Sequence, residues 1–281
     1  MKNFLHNILP LVVIILCAAP NHGQDIYRFT DSIRVAYGLP GLGHVVLKSD
    51  TILEIKTAGY KRIDKPDSLT LSSRFHIGSN TKTITAFVAA HLVEEGKIQW
   101  ETGFFEIFPE LLNKAQKEYH SITLGDLLSH RARVAPLTSG REIAQFPLRG
   151  SRAEKQIQFA ENIFSRNPEK PENDTSIVYS NAGYALASMM MERITGKTYE
   201  ELIEFYVNEK VGLRFQIGWP HIHDPHQTYG HFGKRLGFQK LVPDTFNVYH
   251  LNELIKPAGD INATLTDYAK FIQLFLKGLK G

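Results

Sequence analysis

Cysteine is nearly absent from this 281-residue chain: the single one, Cys17, lies inside an apolar N-terminal run. Downstream of that run there is no thiol, which excludes disulfides, cysteine nucleophiles and cysteine metal sites. Blocks of like charge are also lacking. The formal net charge is only +3 and the basic residues are scattered, so nucleic acid and a polybasic membrane contact are not expected partners. Internal repeats, low-complexity linkers and a G-x-S-x-G elbow are missing too, the last of which removes support for an α/β-hydrolase. What remains, 43% hydrophobic and 22% charged, is the composition of a globular protein with a real core.

The apolar run from Leu11 to Ala19 follows Lys2 and precedes "PNHGQD". It is too short to span a bilayer but suits a secretory signal. Residues 1–24 are therefore expected to be a signal peptide, cleaved between Ala19 and Asp25, and the protein to be exported to the periplasm or secreted. Membrane contact would come only through an uncleaved N-terminus. The large Leu16 before Cys17 does not resemble a lipidation site. Residues 25–281 are expected to form one monomeric domain.

Along that domain, a helix is predicted around Asp25 to Tyr37, then a break at "GLPGLG" and a hairpin whose strands "HVVLKSD" and "TILEIKTAGY" meet near Ser49-Asp50. Helical periodicity follows at Thr83 to Glu95, Ile122 to His130, Ala153 to Ser165, Ala182 to Gly196 and Tyr199 to Gly212. Residues 171–177 read as a loop, and Trp219 to Val248 resists assignment. The final helix, "LTDYAKFIQLFLKGLKG", places Leu265, Tyr268, Ile272, Phe275 and Leu279 on one side.

The helix after Thr83 starts oddly. Ile84, Phe87, Val88, His91 and Leu92 mark a core face and Gly96 a stop. Ser79 could serve as an N-cap, yet the capping-box position three residues on holds Lys82 where Glu or Gln is favoured. A cation in the first turn opposes the helix dipole at a cost of about 0.3–1 kcal/mol. Ser79 and Lys82 share one side of the helix. A neutral amine there can accept the serine proton, and the dipole helps to depress the lysine pKa. The helix-start N–H groups also favour a developing oxyanion. A feature poor for stability is suited to acyl transfer.

In context, "FHIGSNTKTITAFVAAHLVEEGKI" resembles the nucleophile helix of the penicillin-recognising serine hydrolases: class C β-lactamases, D-alanyl-D-alanine carboxypeptidases and related esterases. "FPELLNK" with "SITLGDLLSHRA", "VYSNAGYALASMMMERITGKTY" and "PAGDINATLTDYAKFIQLF" are similar to later segments of that family. The resemblance implies an α+β fold of the β-lactamase/transpeptidase type, a helical subdomain plus an antiparallel sheet. It implies Ser79 as nucleophile, Lys82 and Tyr179 as proton shuttle, and Asn181, closing the Tyr179-Ser180-Asn181 motif, as the substrate-binding residue. A β-lactam, a peptidoglycan-type peptide ending in D-Ala-D-Ala, or a small ester is the implied substrate. No cofactor is implied. Standing alone, Tyr179 could equally pack in the core and Asn181 cap a helix.

Departures from the family pattern stand beside these matches. Its third motif, Lys/His-x-Gly, normally follows the late helix. "HFG" (His231 to Gly233) has the letters but precedes "PAGD", and Lys197 is no match. The C-terminal strands that would pair with the hairpin from His44 to Tyr60 are accordingly expected to be missing, leaving a two-stranded remnant. This departure supports a second expectation, an inactive truncated relative acting as a binding module or a non-functional fragment. Arg131 and Arg133 replace small residues and are expected at the rim of the site. Tyr206-Val207-Asn208 repeats the second motif inside a helical stretch and reads as chance. The histidines of "HIHDPH", 221, 223 and 226, could meet a divalent metal but read as a surface loop, so no metal site is assigned.

Overall fold

A computed structural model describes residues 22–139, 142, 148–171, 177–233, 240–242 and 253–280. Residues 1–21, most of the expected signal peptide, lie outside them, as do 172–176 of the expected loop and 234–239 and 243–248 of the unassigned stretch. Helix α1 (His22–Ala36) already begins within the residues expected to be cleaved.

The expected hairpin is present as β1 (Gly41–Leu47) and β2 (Ile52–Arg62), with Val45 opposite Ile55. It is not two-stranded: β3 (Lys65–Ser68) adds to the far edge of β2, giving the order β1-β2-β3. The sequence of β3, "KPDS", has no apolar alternation, so no strand signal was available there.

A second antiparallel sheet positions the site. Its strands are β4 (Arg74–His76), β5 (Gln216–Ile217) and β8 (Ile261–Thr264), with β8 in the middle. All four β8 residues are buried. A short pair, β6 (His231–Phe232) and β7 (Lys240–Leu241), places "HFG" outside this sheet.

The helical part is built around α2 (Thr81–Glu94) and α6 (Asn181–Thr195). Ile84, Val88 and Leu92 of α2 are fully buried, each side chain contributing about 1.5–3 kcal/mol. Phe87 and His91 instead border the stripe and pack edge-on at 4.6 Å, while Thr85 and Ala89 complete the buried face. Every residue from Ala182 to Met191 is buried, as expected of a helix that is apolar all round. Gly196, in the left-handed region (φ 68°), ends it. Gly183 lets α6 approach α4 (Leu124–Leu128): a Cβ there would lie 2.9 Å from the Leu127 carbonyl oxygen.

Beside them, α3 (Phe104–Ile107) and α5 (Arg152–Phe164) supply an aromatic cluster in which Phe104 stacks on Phe108 at 4.8 Å and meets Phe164 edge-on. Three predicted helices are corrected. The helix predicted over Ile122 to His130 shrinks to α4, because His130 adopts φ 63° and the Arg131 and Ala132 N–H groups fold back onto the Asp126 carbonyl. That over Tyr199 to Gly212 is α7 (Tyr199–Ile203) followed by a π-helical stretch, Glu204–Glu209, in which Tyr206 and Val207 are both buried. In the last helix, α10 (Leu265–Gly278), Ala269 and Phe271 are the fully buried apolar residues, whereas Phe275 and Leu279 are 43% and 84% exposed. The helix is wedged between β1, where Leu265 approaches Gly43, and α2, where Phe271 meets Phe87. Two contact directions rotate its buried face away from the single predicted stripe. Two further short helices, α8 (Pro220–His223) and α9 (Lys256–Gly259), flank β5 and β8.

Candidate active site

Strand β4 runs through Ile77 into a 3₁₀ turn, Gly78–Asn80, and only then into α2. Gly78 takes φ 51°, a conformation that a side chain disfavours, and this sharp turn brings Ser79 out at the start of the helix. Ser79 is therefore not the N-cap: that position falls to Asn80, which makes no side-chain cap bond. The turn is tied to β8 from both sides, since Ile77 N–H donates to the Ile261 carbonyl at 2.9 Å and Ile261 N–H to Thr81 Oγ1 at 3.0 Å.

The four residues named from the sequence converge. Tyr179 Oη donates to Ser79 Oγ at 2.8 Å, and Lys82 Nζ lies 3.4 Å from the same oxygen. Lys82 Nζ also donates to Asn181 Oδ1 and to the Ala258 carbonyl, each at 2.7 Å. Neither packing of Tyr179 in the core nor capping by Asn181 describes what is seen. Tyr179 is 44% exposed, and Ser180 is the cap of α6, its Oγ accepting from Gly183 N–H at 3.0 Å.

Electrostatics follow from this arrangement. Lys82 is only 5% exposed, and burial depresses its pKa more than the neighbouring Tyr179 raises it. Its Nζ also lies 4.7 Å from the centroid of the Tyr179 ring. Burial pushes the Tyr179 hydroxyl up, but Lys82 and Ser79 together outweigh it and leave the pKa below the ordinary tyrosine value. Tyr184, one turn along α6, is pushed up to about 12 by burial and donates to the Leu128 carbonyl. Two nearby tyrosines thus have opposite tendencies.

Two contributors were not singled out from the sequence. The first is the Ala258 carbonyl in "PAGD", which helps to hold the Lys82 amino group; a main-chain acceptor leaves no side-chain signal. Its segment is anchored by Thr85, whose Oγ1 donates to the Pro257 carbonyl at 2.7 Å, and by Asp260, whose carboxylate is 3.2 Å from His76 Nε2. His76 in turn stacks on Trp219 at 4.2 Å. The second is the loop from His130 to Leu137, which carries three non-glycine residues in the left-handed region, His130, Arg133 and Leu137. Such conformations cost of order 1–3 kcal/mol each and persist where surrounding bonds enforce them. Here the loop supplies acceptors to the Tyr179 segment: Ala135 to Ser180 Oγ, Pro136 to Asn181 N–H, and Leu137 to Asn181 Nδ2.

Other motif residues lie elsewhere. The Arg133 guanidinium donates to the Glu169 carbonyl, and Arg131 is exposed. Tyr206 donates to Glu95, and Asn208 bonds Glu204 and Phe215. His221 stacks on Tyr229, His223 Nε2 lies 2.6 Å from the Ile217 carbonyl oxygen, and His226 N–H donates to Asp224. His231 Nε2 accepts from Ile63 N–H, on the margin of the first sheet.

Among solved structures, the fold is similar to an octameric penicillin-binding protein homologue from Pyrococcus abyssi, with a TM-score of 0.72, 21% identity, and coverage of 91% of this chain and 56% of that one. In sequence the chain is similar to penicillin-binding protein 4 of Amycolatopsis lactamdurans, 24% identical over 200 residues, 71% of this chain and 49% of that protein. It also resembles an unguisins hydrolase of Aspergillus violaceofuscus, 25% identical over 185 residues, 62% of this chain and 31% of that protein. The chain spans less than two thirds of each of these relatives. The family model described as Beta-lactamase matches residues 26–280, and with it the expected α+β fold stands: the chain belongs to the beta-lactamase family of serine hydrolases.

Proposed function

We propose that this protein is an exported serine hydrolase that opens an amide or ester through an acyl-enzyme on Ser79. The observation that carries the reading is the convergence of Tyr179 and Lys82 on one serine oxygen at 2.8 and 3.4 Å. Asn181 Oδ1 and the Ala258 carbonyl can only accept, so two N–H bonds of Lys82 are committed to them, and in the proposed reaction Lys82 is the ammonium. Tyr179, whose oxygen lies closer to Ser79 Oγ than Lys82 Nζ does, serves as the first proton acceptor once it has lost its own proton.

In the proposed reaction, Tyr179 as phenolate takes the Ser79 proton while Oγ attacks the carbonyl carbon. Negative charge moves onto the carbonyl oxygen, which the N–H groups and dipole of the α2 start favour. Collapse expels the amine or alcohol, which receives the proton from Tyr179. Water then attacks the Ser79 ester, gives its proton to Tyr179, and the proton returns to Ser79 as the acid leaves. Lys82 holds its charge throughout and stabilises the phenolate. The substrates proposed are a β-lactam, a D-Ala-D-Ala peptide of the peptidoglycan type, or a small ester, and the apolar run before residue 20 supports export.

A fluorophosphonate or a fluorescent penicillin applied to the full chain tests this. Labelling of the wild type and none of Ser79→Ala is expected. Equal labelling of both removes Ser79 from the chemistry, and absence of labelling in a chain that melts cooperatively favours the inactive binding module instead.

A further inference from the structure

His130 holds Tyr179 from three directions. Its carbonyl accepts from Val178 N–H at 2.9 Å, its ring Nδ1 lies 3.1 Å from Ser180 N, which can only donate, and its ring packs against the Tyr179 ring at 4.6 Å between centroids. The residues on both sides of Tyr179 are therefore bonded to one histidine, and the side chain between them rests on the same ring. The left-handed backbone at His130 aims both acceptors, carbonyl and ring nitrogen, at one strand of chain.

We propose that His130 is the positioning residue of Tyr179 and acts only as the neutral imidazole protonated on Nε2, so that adding a proton at Nδ1 releases Ser180 and withdraws the Tyr179 hydroxyl from Ser79. A backbone N–H cannot accept, so a protonated Nδ1 turns an attraction into a donor–donor clash. The titratable groups facing the imidazole are Tyr179 itself, Tyr184 on α6 at 5.4 Å and the Lys82 charge on α2. Of its neighbours on the preceding element and in the chain, Asp126 accepts from the N–H and Oγ1 of Thr123, the N-cap of α4, and Arg131 is exposed. Burial first and Lys82 second keep the ring below the usual histidine pKa, so the working form persists into mildly acidic solution. The proposal rests on Ser79 being the nucleophile, and it adds a second, separate proton switch to that site.

The test uses the full chain, a fluorophosphonate probe and three proteins: wild type, His130→Asn and His130→Phe. Asparagine places an acceptor near the position of Nδ1, tolerates the left-handed backbone and does not titrate. Phenylalanine keeps a ring but removes the acceptor. In the wild type the logarithm of the labelling rate should fall with the uptake of one proton as pH drops, then steepen to two below the imidazole titration. His130→Asn should label within about threefold of wild type at neutral pH and show no steepening, whereas His130→Phe should lose on the order of 10²-fold, the usual effect of a misplaced catalytic group. The Tyr179 titration, read as difference absorbance against Tyr179→Phe, should move upward in His130→Phe only. Steepening that persists in His130→Asn overturns the proton switch. A His130→Phe protein with wild-type labelling and an unmoved Tyr179 titration overturns the positioning role. If the wild type is not labelled at all, the nucleophile reading fails, while the Tyr179 titration still decides whether His130 holds that tyrosine. If His130→Phe does not fold, the comparison of wild type with His130→Asn decides.

Discussion

Tyr179 and Ser79 are a hundred residues apart in the chain and joined by a 2.8 Å hydrogen bond, shorter than the 3.4 Å separation between Ser79 and Lys82 one turn away. The residue nearest in sequence is not the nearest partner of the Ser79 oxygen. Lys82 is turned instead toward Asn181 and Ala258, and in the proposed reaction it acts on the serine through the charge it presents to Tyr179.

This division of labour predicts the effect of Lys82→Met. Tyr179 has its pKa raised by burial and lowered, net, by Lys82 and Ser79. Without the ammonium the phenolate form requires a higher pH, so the acid limb of Ser79 labelling should move upward and the rate at neutral pH should fall by about 10²–10⁴-fold. In the wild type the alkaline limb should follow the loss of the Lys82 proton, at a pH below that of an ordinary lysine. Labelling rates across pH for both proteins measure this; an unmoved acid limb in Lys82→Met would remove Tyr179 as the base.

Asn181→Leu should leave the Lys82 ammonium and the Leu137 carbonyl each short of a partner. A lost hydrogen bond to a charged group costs about 1.5–3 kcal/mol. The melting temperature should drop and the Lys82 pKa should fall further, narrowing the pH range of labelling from its alkaline side. Asn181→Asp should do the opposite at that limb, because a carboxylate beside the ammonium raises its pKa.

Gly183→Ala tests the approach of α6 to α4. The new methyl would lie 2.9 Å from the Leu127 carbonyl oxygen, and both partners are backbone that cannot turn aside. Overpacking of this kind costs about 1–3 kcal/mol, and for a chain of this size each kcal/mol lowers the melting temperature by roughly 2–4 °C. Circular-dichroism melts give the value directly. A melting temperature equal to that of the wild type would show that the two helices can separate without penalty.

Glu95 provides a pH-dependent contribution to stability away from the site. Lys210 at 2.5 Å, Lys97 at 2.8 Å and Tyr206 at 2.6 Å hold its pKa down from 4.5 to about 2. A carboxyl with a depressed folded pKa stabilises above its unfolded value and loses that contribution as pH falls through the folded one. Glu95→Gln should therefore melt below the wild type at neutral pH, with the gap closing between about 4.5 and about 2. Added salt should also shrink it.

Much of the site was legible because its chemistry contradicts local preference. Lys82 stands where a helix start favours an acid, and such a conflict points to a role beyond folding. Tyr179 and Asn181 were found only through the resemblance of "VYSNAGY" to a family segment, since a tyrosine before a capped helix has an ordinary structural use. His130 lay inside a predicted helix. Nothing in "LLSHRARVAPL" announces that its backbone turns left-handed three times, because those conformations are imposed by bonds to residues some fifty positions away.

The sequence by itself determined the long helices α2, α5 and α6, the β1–β2 hairpin and the i, i+3 pairing of Ser79 with Lys82, because all of these rest on periodicity and on spacing within a turn or two. Tertiary structure decided the rest. It chose Tyr179 over Lys82 as the closer partner of Ser79, built a buried central strand from "INAT", rotated the buried face of α10, and recruited the Ala258 carbonyl and the His130 ring. Each depends on which distant segment packs alongside, and burial together with main-chain hydrogen bonding, the two effects that set those choices, leaves no periodic trace in the chain.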